Sequence, residues 1–158
     1  MRISSFAPLL TVLALTSAWA AKQCPYATPS EISNVVAGSW QLTSFDPQRG
    51  CMFVNHAGEG FIVGVTPHPD SQHAADAYAE YQKGFADRQL RPIAKLGEQA
   101  VFSVTADGAR PAAAQLVARQ QRHIVDISYF SQDSQLARRQ LEQVFASLAK
   151  QAIGRLPR

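Results

Sequence analysis

Hydrophobic and polar residues follow two periods along this chain, and the changes between them mark the elements. Thr28-Pro29-Ser30-Glu31 is a capping box with proline at the first helical position; Ile32, Val35 and Val36 follow at helical spacing, and Gly38 can end the helix. Over 39–45, Trp40, Leu42 and Ser44 fall on one face of a predicted strand, and Asp46-Pro47-Gln48-Arg49-Gly50 turns the chain. The runs 51–55 and 61–66, rich in Val, Ile and Phe, flank His56-Ala57-Gly58-Glu59-Gly60 and read as a hairpin. Pro67 and Pro69 stop the sheet. Asp70 or Ser71 then caps a helix whose apolar stripe is Ala74, Ala77, Tyr78, Tyr81 and Phe85.

The second half repeats the alternation. Ala100, Phe102 and Val104 share one side of a strand, and Ala106-Asp107-Gly108-Ala109-Arg110-Pro111 is a turn. The runs 114–119 and 123–130 form a second hairpin joined near Gln120-Gln121; Val125, Ile127 and Tyr129 share a face, while Asp126 and Ser128 point away. Ser131 or Asp133 caps a final helix over 132–150 carrying Leu136, Ala137, Leu141, Val144, Phe145 and Leu148, which Gly154 and Pro157 end. The predicted order is α-βββ-α-βββ-α, with 91–96 a candidate for one more strand. Hairpins imply an antiparallel sheet, and helices with one apolar stripe pack on it, so the class is α+β.

Residues 1–20 read as a secretory signal peptide. Arg2 is the positive start, 6–15 an apolar run, and Ala18-Trp19-Ala20 a cleavage site that leaves 21–158 as a single domain. The apolar run, broken by Pro8, falls short of the ~20 residues that span a bilayer, so no transmembrane segment is expected in the mature chain. Lys22 and Gln23 before Cys24 do not make a lipidation site. Export changes what the cysteines mean. Cys24 and Cys51 are the only two in the chain, and in an oxidising compartment they read as one structural disulfide.

With 158 residues and 46% hydrophobic content the chain suits one globular domain. A net charge of +3 is too small to argue for nucleic acid, and export makes that partner class unfitting. Arg138 and Arg139, with Lys150, Arg155 and Arg158, make the C-terminal part locally basic, a charge that favours a helix C-terminus. His68-Pro69-Asp70-Ser71-Gln72-His73, with His56, is the best candidate for a metal site, since imidazole and carboxylate suit zinc or copper. Asp70 has a competing task there as a helix cap. No nucleophile elbow, H-E-x-x-H or P-loop is present, and Gly58-Glu59-Gly60 precedes a strand where a phosphate loop would precede a helix. Asp76 and Glu80, four apart, read as a polar helix face. Neither an enzyme activity nor a cofactor is expected.

Three segments carry a resemblance: Cys24-Pro25-Tyr26-Ala27-Thr28-Pro29-Ser30-Glu31-Ile32, Gly50-Cys51-Met52-Phe53, and Leu96-Gly97-Glu98-Gln99-Ala100-Val101-Phe102. Together they resemble a broad family of small exported bacterial domains of unknown function, often lipoproteins, with a PsbP-like α+β architecture. The resemblance implies export and a curved antiparallel sheet with helices against it. It supplies no catalytic residues. This chain departs from it in lacking the lipidation site and in having Gln120-Gln121 where a glycine turn is usual. Ala37-Gly38-Ser39-Trp40-Gln41-Leu42 with Gly50-Cys51 is also similar to the opening of small secreted β-barrel protease inhibitors, but helices at 70–86 and 132–150 contradict a barrel.

The sequence therefore leads to a non-enzymatic periplasmic or secreted binding domain of the bacterial envelope, its partner another envelope or secreted protein. Candidate contacts are Trp40, His56, Glu59, Arg138 and Arg139, although Trp40 reads better as a core side chain. The alternatives are an inhibitor or immunity protein against a secreted enzyme, and a metal or small-molecule binder using His56, His68 and His73.

Overall fold

The computed structural model describes residues 23–85, 88–104, 112–132 and 136–157. The leader and the turn at 106–111 lie outside them. The described chain forms α1 (Pro29–Val35), β1 (Trp40–Asp46), β2 (Gly50–Asn55), β3 (Gly60–Pro67), α2 (Ser71–Gly84), β4 (Gln89–Pro92), β5 (Gln99–Val104), β6 (Ala113–Gln120), β7 (His123–Phe130) and α3 (Arg138–Gly154). All seven strands join one antiparallel sheet in the order β1-β2-β3-β7-β6-β5-β4. The α+β class holds. The expected order is one strand short, because β4 adds a fourth strand before α3.

Local chemistry builds the first elements as the sequence implies. Thr28 Oγ1 accepts from the Glu31 amide at 3.3 Å, and the Glu31 carboxylate accepts from the Thr28 amide at 2.8 Å, closing the capping box of α1. Asp70 Oδ1 accepts from the His73 amide at 2.9 Å and caps α2. Asp46 Oδ1 accepts from the amides of Gln48 and Arg49 in the β1–β2 turn. That turn ends on Gly50 at φ +91°, where a Cβ would lie 2.5 Å from the Val63 carbonyl oxygen.

Strand β1 differs from the expected pattern. A bulge between Leu42 and Ser44 shifts the register, so Ser44 turns outward and Phe45 joins Trp40 and Leu42 on the core side. The start of α3 also differs. Ser131 is buried at the end of β7, and Asp133 lies outside the described residues. Ala137 stands at the N-cap of α3 without a side-chain cap bond, and only Gln140 Oε1 reaches back, accepting from the Ala137 amide at 2.9 Å. Leu136 precedes the helix but still packs against the core.

The sheet has two covered faces. On one, α1 and α3 enclose the main core, with Leu141, Val144, Phe145 and Leu148 of α3 buried on it. Four aromatic contacts join there: Phe61 meets Trp40 and Tyr129 with ring centroids 5.1 Å apart, and Phe145 lies 5.8 Å from Phe61 and 5.5 Å from Phe102. On the other face, Tyr78 and Phe85 pack on Val101, Val117 and Ile124, with Ala77 and Tyr81 at the margin. The stripe read for α2 is therefore the one that packs. Arg155, at the end of α3, donates to the Tyr26 carbonyl at 2.7 Å and pairs with Glu31, locking α3 to the start of α1.

Cys24 and Cys51, 27 positions apart in sequence, form the expected disulfide, with Cα atoms 5.7 Å apart. It ties the segment before α1 to β2. Closing a loop of that length in the unfolded chain accounts for about 3–4 kcal/mol of stability. Urea melts with and without dithiothreitol are expected to show a loss of that size; an unchanged midpoint would mean that other contacts already hold the segment.

Candidate functional site

The residues read from the sequence as contacts separate into core and surface. Trp40 is 3% exposed and packed at a tilt of 58° against Phe61, so it is a core side chain and cannot meet a partner while the fold is intact. Glu59 is 5% exposed; it accepts from Tyr129 Oη at 2.7 Å and from Asn55 Nδ2 at 2.8 Å, tying the β2–β3 hairpin to β7. Its role is internal because a carboxylate at that depth is held by donors from its own fold.

The histidines do not converge. His56 is exposed in the β2–β3 loop, whereas His68 and His73 follow the far end of β3. The eight residues of β3 stand between them, about 26 Å of strand. His73 Nδ1 lies 2.9 Å from Asp70 Oδ1, and that bond and the carboxylate charge raise the imidazole pKa. His68 is fixed through its backbone amide, which donates to the Arg122 carbonyl at 2.7 Å. Among the described residues no three His, Cys, Asp or Glu side chains gather as metal ligands. The expected three-histidine grouping is thus corrected by the length of β3.

Arg138 and Arg139 are the candidates that reach the surface together. They open α3, at its N-terminus, which reverses the helix-end argument made from their sequence position. The helix dipole there is positive, so two cations cost stability where Asp or Glu would contribute it. The first turn holds no acidic residue. Arg91, from edge strand β4, joins them; the sequence reading missed it because β4 shows no alternation. Arg91 Nη1 donates to Glu142 Oε2 at 2.9 Å, and Arg138 Nη1 donates to Gln89 Oε1 at 2.7 Å. Arg139 makes no ion pair or side-chain hydrogen bond among the described residues.

Arg91, Arg138, Arg139, Glu142 and Gln143 line a surface depression of about 580 Å³. Three guanidinium groups face one carboxylate, and the helix start adds to their positive field. Guanidinium pairs carboxylate and phosphate oxygens in a two-pronged geometry, so the chemistry of the depression is anion binding. An incoming anion would share Arg91 with Glu142.

No family model, curated protein or solved structure matches the chain. Among the described residues no helix is long and apolar enough to cross a membrane.

Because Arg139 opposes the dipole and makes no compensating bond among the described residues, Arg139→Glu is expected to stabilise the protein, by about 0.5 kcal/mol at low salt. The urea midpoint measures this. A lower midpoint would show that the arginine supports the fold.

Proposed function

We propose that this chain is an exported, non-enzymatic binding domain that engages an acidic surface on another envelope or secreted protein through Arg91, Arg138 and Arg139. The observation that carries the reading is the gathering of three arginines from β4 and α3 around one depression, two of them at a helix start where they oppose the dipole. Positions that break a local stability rule without compensation are where a fold holds function. The leader read over 1–20, with cleavage after Ala20, and the likeness to small exported domains with a PsbP-like architecture belong to the same proposal. The disulfide suits it, since such bonds persist outside the reducing cytosol.

Mechanistically the patch would act in two ways. Its field speeds encounter with an acidic partner, and its guanidinium forks then pair individual carboxylates. Both depend on charge, so affinity falls as salt rises.

The test compares the protein with the double variant Arg138→Glu/Arg139→Glu in capture from envelope extract, followed by titration of the captured partner after its identification. The wild type is expected to retain an acidic partner that salt releases, and the double variant to bind it about tenfold more weakly or worse. Equal retention by the two proteins would overturn the proposal. The same variant keeps or gains thermal stability, so weakened binding cannot be ascribed to unfolding.

A further inference from the structure

The second face of the sheet holds a polar group that the basic patch does not use. Asp126 lies on β7, the central strand, and points toward the α2 side between Gly64 of β3 and Val117 of β6. It is half-buried. Gln115 Nε2 donates to both carboxylate oxygens, at 2.9 and 3.0 Å, and Ser128 Oγ donates at 3.4 Å. All three bonds come from neutral groups. Among the described residues no cation pairs with this carboxylate.

Beside it a cleft of about 510 Å³ opens between α2 and the sheet, lined by Thr66, His68, Ala77, Glu80, Tyr81 and Phe85, together with Gly84 and Gln115. Thr66 belongs to β3 and Gln115 to β6, the two strands that flank β7, and Gln115 holds the Asp126 carboxylate directly behind this lining. The volume suits a small molecule, and the lining combines apolar walls with a few convergent polar groups.

The charges around the cleft favour one ligand class. Glu80 is neutralised by Lys83 at 2.6 Å. Tyr81 stands close enough to Asp126 that burial and the carboxylate charge together raise its phenol pKa. Burial raises the pKa of Asp126 as well, against the Gln115 and Ser128 bonds, which lower it. A carboxylate kept from water with no counter-charge costs stability until a cation arrives. The aromatic wall is one that accepts cations: the Arg88 guanidinium already lies 5.1 Å from the centroid of the Phe85 ring.

We propose that the cleft between α2 and the sheet binds a small organic ammonium ion, with Asp126 as its counter-charge and Tyr81 as its aromatic wall. Gln115 orients the carboxylate, and the Tyr81 face lies alongside the bound cation.

Titration of the purified protein with benzylammonium, and in parallel with uncharged benzyl alcohol, tests this by amide chemical shifts. Saturable shifts at Thr66, Tyr81 and Gln115 are expected with the amine, and about tenfold weaker binding with the alcohol. Asp126→Asn keeps the shape and an acceptor for Gln115, and it is expected to bind the amine about tenfold more weakly while its Tm stays at or above that of the wild type. Should that variant fail to fold, Tyr81→Leu preserves bulk and is expected to weaken the amine severalfold with little effect on the alcohol. Absence of saturation, equal binding of amine and alcohol, or undiminished binding by a folded Asp126→Asn would overturn the proposal.

Discussion

Phe61 of β3 and Phe145 of α3 meet edge to face, with centroids 5.8 Å apart and planes at 73°. Both rings are fully buried, and each carries further partners: Trp40 and Tyr129 against Phe61, Phe102 against Phe145. The contact sets where α3 crosses the sheet. Once that crossing is set, the start of α3 must lie beside β4, where Arg138 reaches Gln89 and Glu142 reaches Arg91. The end of the same helix must lie beside α1, where Arg155 bonds to Tyr26 and Glu31. The disulfide extends this chain of contacts from α1 to β2. A surface depression at the start of α3 thus depends on how two phenylalanines pack.

Strand β7 divides the molecule's chemistry. Its Val125, Ile127 and Tyr129 face the main core, and Ile124 and Asp126 face α2. One face is closed by three-residue and four-residue spacings on α3, and the Glu59 carboxylate inside it accepts from Tyr129 Oη. The other is closed only in part, because α2 covers Val101, Val117 and Ile124 and leaves a cleft beside them. The basic depression and the Asp126 cleft are built from opposite charges in opposite places. Each retains a charge that the fold alone would be more stable without, by the dipole at one and by desolvation at the other.

Much of the fold is legible in short-range patterns. The Thr28–Glu31 capping box, the Asp70 cap and the Asp46 turn are bonds between residues two or three positions apart, so their residue types announce them. The stripe of α2 and the alternation of β7 report burial directly. β4 is legible only as an extended stretch overlapping the candidate strand at 91–96, because all four of its residues are exposed; pairing with β5, and not a hydrophobic face, makes it a strand. The start of α3 is misplaced by a few residues because no side chain caps it. At β1 the bulge exchanges Ser44 for Phe45, which strict alternation cannot foresee.

By itself the sequence determined the disulfide pair, the antiparallel hairpins, the helix stripes and the basic character of Arg138 and Arg139, all from local spacing or from a count of two. Only the tertiary structure decided which polar and aromatic residues face outward. It buried Trp40 and Glu59, set the length of β3 between His56 and His68, and brought Arg91 to Glu142 across 51 positions. Composition states what a side chain can do, but long-range packing decides which side chains share a space. The two candidate sites exist because strand order and a helix crossing place together residues that the chain keeps far apart.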